Sequence, residues 1–117
     1  MSDLTDDWDT TALDEGWANA PVLVYQNPDG PGYLLDLQAD INSHFATRVV
    51  APLLPVEEVP VYASALNPVF EIEGARVVMA TQGMAAVPLA ILKHPVCSLE
   101  DRQTEIVAAI DLLFQGF

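Results

Sequence analysis

The chain has 117 residues, of which 51% are hydrophobic, and a formal net charge of −13 at pH 7. This length corresponds to one domain with a sizeable core. The charge disfavours direct binding of nucleic acid, because acidic side chains repel phosphates. No apolar run is long enough to cross a bilayer, and residues 1–20 lack the pattern of a secretory signal. With Cys97 as its single cysteine, the sequence predicts a cytoplasmic protein without a membrane anchor or a disulfide.

Residues 1–20 form a distinct acidic arm. The arm contains six acids and no basic residue, and its low apolar content predicts a flexible segment. Its apolar residues Trp8, Leu13 and Trp17 are spaced four or five residues apart, as in segments that become ordered when they dock in a groove. Two interpretations therefore stay open: an idle tail, or an arm that docks on the body of the protein or on a partner.

Short strands separated by Pro and Gly are predicted from Pro21 onward. The first two, residues 22–25 and 33–38, flank the sequence NPDGPG at 27–32, which is typical of a hairpin loop, so they should pair antiparallel. A third strand is predicted at 48–54. Because Pro52 has no backbone donor, it suggests an edge position or a bulge there.

A second hairpin is predicted from residues 68–74 and 75–81, with its turn at Glu73 and Gly74. Residues 86–92, AVPLAIL, predict a last short strand that is interrupted by Pro88. The predicted fold is thus mainly antiparallel β up to about residue 95.

A single helix is predicted at 99–114, since no Gly or Pro occurs there before Gly116. Ser98 and Asp101 form a weak capping box at its start. Helical spacing assigns four apolar residues to the side facing the sheet, namely Leu99, Ile106, Ile110 and Leu113. Leu112 and Phe114 should flank that side. Gly116 would stop the helix, which leaves the aromatic Phe117 with no core role and predicts that the terminus contacts a partner.

Candidate catalytic and metal-ligating groups are sparse. His44 and His94 each stand alone, without a neighbouring His or Cys at metal-ligand spacing. Asp36 and Asp40 are predicted on a strand and its exit, so their carboxylates need not converge. No nucleotide-binding or hydrolase motif occurs in the sequence. The sequence therefore predicts a binding protein that is not an enzyme and that needs no metal or other cofactor.

Three stretches resemble the CcdB toxin family, in the same order and at similar spacing. They are DLQADI at 36–41, NPVFEIEG at 67–74 followed by GMAAVPLAIL at 83–92, and LEDRQTEIVAAIDLLFQGF at 99–117. The resemblance covers about residues 22–117, nearly all of the chain outside the acidic arm. No single one of these motifs is decisive, and it is their order along the chain that carries the resemblance.

The resemblance implies a fold, a function and partners. The fold would be mainly β with α: an antiparallel sheet of the SH3-like or CcdB-type barrel plus a carboxy-terminal α-helix, in a toxin domain at 21–117. Family members are homodimeric toxins of bacterial type II toxin–antitoxin systems. They bind the DNA gyrase A subunit and poison this topoisomerase without catalysis of their own, and a cognate CcdA-like antitoxin neutralises them.

The resemblance also implies which residues contact gyrase. In the family the last three residues make this contact, and they correspond to Gln115, Gly116 and Phe117. The remaining expected contacts are Ile41, Leu113 and Phe114. Gln115 replaces a familiar aromatic residue, and Asn42 and Asp111 also depart from the family pattern. The alternative is therefore a non-poisoning, dimeric binding module with a different partner. An arm anchored by Trp8, Leu13 and Trp17 could be autoinhibitory.

Overall fold

The structure is a computed structural model that describes residues 22–38, 46–59 and 62–115. These residues contain seven β-strands and one α-helix. The elements are β1 (Leu23–Gln26), β2 (Tyr33–Asp36), β3 (Thr47–Pro55), β4 (Val69–Ile72), β5 (Ala75–Met79), β6 (Ala85–Pro88), β7 (Pro95–Ser98) and α1 (Gln103–Gln115). Single 3₁₀ turns occur at Val56–Glu58, Thr81–Gly83, Leu89–Ile91 and Glu100–Arg102.

All seven strands belong to one antiparallel sheet. Its order is β4-β5-β3-β2-β1-β7, and β6 pairs with β3. The sheet curls into a half-barrel, and the one helix follows the last strand. The predicted class, an antiparallel barrel-like sheet with a carboxy-terminal helix, is confirmed.

The long strand β3 lies in the middle of the sheet, so the predicted edge position of Pro52 was wrong. One side of β3 pairs with β2, and Pro52 faces Leu34 there without a shift of register. The other side pairs with β6 through residues 47–50 and with β5 through residues 53–55. The Pro52 carbonyl accepts a bond from the Ala80 amide at 2.8 Å. In an antiparallel strand the backbone nitrogen and carbonyl of one residue point to the same side, so the Pro52 nitrogen also faces the side of β5 and β6. Pro52 lies between the residues that pair with β6 and those that pair with β5. Its missing N–H therefore interrupts neither set of hydrogen bonds.

Both predicted hairpins are present. In the first, Val24 pairs with Leu35, and the loop ends at Gly32 with φ of 88°. A Cβ at Gly32 would collide with the Leu53 carbonyl oxygen of β3, so only glycine fits. In the second, the two turn residues Glu73 and Gly74 both have positive φ, 52° and 83°, as a two-residue hairpin turn requires.

In the last third of the chain one predicted strand is shorter than expected, and one strand was not predicted. The strand expected at 86–92 ends at Pro88 and continues as a 3₁₀ turn. Strand β7 was not predicted at all, because its four residues carry no alternating pattern and become a strand only by pairing with β1. Cys97 pairs with Val24 there and is half-buried as a free thiol. Burial, with a smaller contribution from Glu73, raises the pKa of this thiol.

The hydrophobic core lies between the inner face of the sheet and α1. It is built from residues of five strands and the helix: Val22, Val24, Tyr33, Leu35, Ala51, Leu53, Phe70, Ile72, Val77, Met79, Ile106 and Ala109. The Tyr33 hydroxyl donates to a Glu73 carboxylate oxygen at 2.7 Å, which ties the β4–β5 turn to the start of β2. Burial and this bond raise the pKa of Tyr33 to about 12. This hydrogen bond joins two parts of the curled sheet that are not adjacent strands.

Candidate functional site: the end of the carboxy-terminal helix

The first half of α1 is anchored in the core. Ile106 is 2% exposed and Ala109 is fully buried, and Leu99 and Ile110 pack against the same cluster. Helical spacing predicted Ile106 and Ile110 correctly. It missed Ala109, because a small side chain gives little signal in a hydrophobic pattern. The helix lies beside the 3₁₀ turn Thr81–Gly83, which fixes its position on the sheet.

The start of the helix differs from the predicted cap. A 3₁₀ turn at Glu100–Arg102 comes first, preceded by Leu99 without a side-chain cap. The Ser98 hydroxyl accepts a bond from the Glu100 amide at 3.2 Å. The α-helix therefore begins at Gln103, four residues later than expected.

Arg102 joins the start of α1 to strand β4. Its guanidinium lies 4.7 Å from the centre of the Phe70 ring and donates to the Val69 carbonyl at 3.3 Å. It also pairs with the Glu105 carboxylate through two bonds, of which the Nη2 bond is 2.9 Å. The bond to Glu105 raises the pKa of Arg102, and the same bond lowers the pKa of Glu105. This end of the helix is held by apolar burial and by charge together.

The opposite face of α1 points outward and carries two exposed large apolar residues. Val107 is 46% exposed and Phe114 is 74% exposed. These two residues and Asp111 are spaced at i, i+4 and i+7, so they share one side of the helix. Leu113 is half-buried beside Phe114. The last turn thus presents a large aromatic ring to solvent. One turn earlier, the exposed carboxylate of Asp111 interrupts the apolar surface of this face.

The structure brings together three of the predicted contact residues, Leu113, Phe114 and Gln115, on the last turn of α1. The other predicted residues lie outside the described part of the chain. They are Ile41, Gly116 and Phe117 of the expected gyrase contact, and Trp8, Leu13 and Trp17 of the acidic arm. Their placement relative to the helix end stays a prediction.

Sequence reasoning missed a buried ion pair between β2 and β3. Asp36 at the end of β2 is 1% exposed, and its carboxylate accepts a bond from the Arg48 guanidinium of β3 at 2.6 Å. The Gln38 side chain accepts a bond from the Val49 amide at 2.8 Å. A lone acid within an apolar strand was the available signal. Its partner could not be identified, because Arg48 lies twelve positions away along the chain.

This ion pair also influences a neighbouring tyrosine. Burial is the main cause that raises the pKa of Tyr25, the charge of Asp36 adds to the effect, and the charge of Arg48 opposes it. The pair joins the end of β2 to the start of β3. Asp40, the other acid considered in the sequence, lies outside the described residues, so its placement relative to Asp36 stays a prediction.

The described residues contain no cluster of metal ligands and no helix that could span a membrane. No group of three or more His, Cys, Asp or Glu side chains in this part of the chain could hold a metal ion. Of the two lone histidines, His94 is exposed on a loop, whereas His44 lies outside the described residues. Among the described elements, α1 is too short to span a membrane, and no other helix qualifies.

The fold and the helix end define a class: a small antiparallel half-barrel with one carboxy-terminal helix whose last turn carries an exposed aromatic. A family model narrows this class. The model described as CcdB protein matches residues 23–116, which is most of the chain, so the chain belongs to the CcdB family. Membership supports a role as the toxin of a toxin–antitoxin pair. In general, the family's partners are an antitoxin and gyrase.

Proposed function

We propose that this protein is the toxin of a type II toxin–antitoxin system and that it acts in the cytoplasm on DNA gyrase. The end of α1 binds the gyrase A subunit and poisons the topoisomerase, and a cognate CcdA-like antitoxin neutralises the toxin. The proposal combines the family membership with the exposed end of the helix. The protein supplies a binding surface in this mechanism, and the covalent chemistry belongs to gyrase.

The exposed ring of Phe114 is the observation that carries the proposal. A single exposed apolar residue is ordinary, but a large aromatic at 74% exposure on an outward helix face is the kind of residue that anchors protein interfaces. The buried Ile106 and Ala109 hold the helix in place, so the ring is offered on a rigid support. Rigid support reduces the entropy that is lost on binding.

A homodimer would make the contact symmetric. Two copies related by a two-fold axis present two helix ends, which suits a target with the same symmetry. In this arrangement Phe114 and the predicted contacts Gly116 and Phe117 would act twice in one complex. Two linked contacts bind more tightly than either alone.

A purified-gyrase assay tests the proposal. Supercoiling and DNA cleavage are measured with the full chain, with a chain that lacks Phe117, and with Thr104→Ala, an exposed change in the first turn of α1. We expect stabilised cleavage complexes with the full chain and with Thr104→Ala, and their loss without Phe117. If the full chain leaves gyrase unaffected at micromolar concentration, the proposal is wrong.

Asp111 favours a second candidate function. This exposed carboxylate lies between Val107 and Phe114 on the outward face, where burial against an apolar target would cost desolvation. A dimeric binding module with a basic partner would instead pair with it. Capture of a basic protein without any effect on gyrase, abolished by Asp111→Asn, would support this alternative.

A further inference from the structure

A cavity of about 410 Å³ lies between the first hairpin and the loop before β7. Its lining residues are Gln26, Pro28, Ala90, Ile91, Lys93 and His94. We call it the Lys93 cavity. Its volume falls within the range of about 300–1,000 Å³ that is usual for ligand sites. No residue of the Lys93 cavity takes part in the helix-end site.

Both walls of the Lys93 cavity are fixed by hydrogen bonds. On one side the hairpin loop is closed by the Asn27 amide, which donates to the Gly32 carbonyl at 3.4 Å, and by the Asn27 side chain, which accepts from the Asp29 amide at 2.9 Å. On the other side the Leu92 amide donates to the Leu89 carbonyl at 3.0 Å and closes the 3₁₀ turn. The Gln26 amide donates to the His94 carbonyl at 3.3 Å and joins the two walls. The cavity is therefore preformed.

The chemistry of the Lys93 cavity combines apolar walls with an unengaged cation. Pro28, Ala90 and Ile91 supply apolar surface, and Lys93 and His94 are exposed at its rim. Among the described residues, Arg48 and Arg102 form ion pairs with carboxylates, whereas Lys93 and Arg76 form none with another described residue. Of these two, Lys93 lines the cavity. Such a cavity suits an acidic peptide that carries a large apolar side chain.

The chain itself contains such a peptide. Residues 1–20 carry six acids, no base, and both tryptophans of the protein, Trp8 and Trp17. This arm joins the body at Val22, and β1 then runs from Leu23 to Gln26 at the cavity wall. Four residues of strand span about 13 Å, whereas the five residues from Trp17 to Val22 can extend to about 17 Å. Trp17 can therefore turn back along β1 and reach the cavity.

We propose that the Lys93 cavity is the docking site of the chain's own acidic arm. Trp17 packs against Ile91 and Pro28, and the adjacent acids Asp14 and Glu15 lie beside Lys93. The apolar contact supplies most of the affinity, because exposed ion pairs contribute little. The charges direct the arm to this cavity in a protein that is acidic elsewhere. The proposal is independent of gyrase.

Tryptophan fluorescence tests the proposal in the full chain, because both reporters lie in the arm. The emission maximum of the full chain should be blue-shifted relative to a free peptide of residues 1–20. Lys93→Glu should move the emission part of the way toward that of the peptide, because repulsion of the arm's acids then opposes the apolar contact. Arg76→Glu is the matched control, since it makes the same charge change at an exposed position of β5, and it should leave the emission unchanged. Circular dichroism of each variant checks that the fold is intact.

Single tryptophan variants assign the contact. With Trp8→Phe, which leaves Trp17 as the reporter, the blue shift should persist, whereas Trp17→Phe should give emission like that of the peptide. The shift should not depend on protein concentration, because the arm docks on its own chain. An emission that stays peptide-like in the full chain, responds equally to Arg76→Glu, or becomes blue-shifted only at high concentration would overturn the proposal.

Discussion

The two ends of α1 differ in what their side chains contact. Near its start, Ile106 is buried in the core, and Arg102 is held by Glu105, by a backbone carbonyl and by the Phe70 ring. At its end, Phe114 projects into solvent. The difference indicates that the start of the helix stabilises the fold, whereas its end is available for binding. Changes near the start should alter the free energy of unfolding, and changes at the end should alter binding alone.

The largest effect is expected from Ile106→Ala. Removing a fully buried aliphatic side chain loses its burial and leaves a cavity, so the free energy of unfolding should fall by about 3 kcal/mol. Urea denaturation measures this. Val107→Ala, one position along at an exposed site, is the control and should cost less than about 1 kcal/mol. Equal losses for the two variants would contradict the placement of the helix.

Phe114→Ala should separate binding from stability most clearly. Because the ring is exposed, unfolding in urea should change by less than about 0.5 kcal/mol. Under the proposed function, affinity for the gyrase A subunit should fall at least about tenfold, as for an aromatic anchor of an interface. Calorimetric titration of gyrase with the variant measures the affinity. If the variant unfolds more easily but binds gyrase normally, the end of α1 contributes to stability and not to binding, contrary to this prediction.

Arg102→Gln should weaken the anchored end by about 1 kcal/mol, since it removes the contact with Phe70 and the bonds to Val69 and Glu105. The effect depends on pH. The pKa of Glu105 is lowered in the folded state, so its contribution is present above its ordinary pKa and is lost as pH falls through the lowered value. Urea unfolding of the wild type and the variant should therefore converge partly below about pH 4. A gap that widens in acid would refute the pairing.

Asp111→Asn should have the smallest effect. A carboxylate in the second half of a helix opposes the helix dipole, so its removal should raise the free energy of unfolding by about 0.3 kcal/mol. Asp101→Asn is the matched control, because Asp101 precedes the helix start and its removal should act in the opposite direction. Thermal unfolding measures both. If gyrase is the target, Asp111→Asn should also bind it somewhat more tightly, because the desolvation cost of the carboxylate is removed. Weaker binding would show instead that Asp111 pairs with a basic group of gyrase.

Prediction from sequence succeeded where the local structure is determined by a few residues that are neighbours along the chain. The paired positive φ values at Glu73 and Gly74 and the spacing of Ile106 and Ile110 could be anticipated from local rules. Leu113, Phe114 and Gln115 lie on the last turn of the helix, which was predicted to end at residue 114, and their part in a contact stays a prediction. The high exposure of Phe114 could not be deduced from spacing alone, because it depends on where the sheet ends beneath the helix.

The sequence by itself determined the strands that Gly and Pro residues separate, the hairpin turns and the single helix. These follow from the φ preferences of Gly and Pro and from hydrophobic spacing. Only the tertiary structure decided that Pro52 lies in a central strand, that residues 95–98 form β7, and that Asp36 pairs with Arg48. The physical reason is shared. Each depends on a partner far along the chain, and which partner is met is set by the curl of the whole sheet.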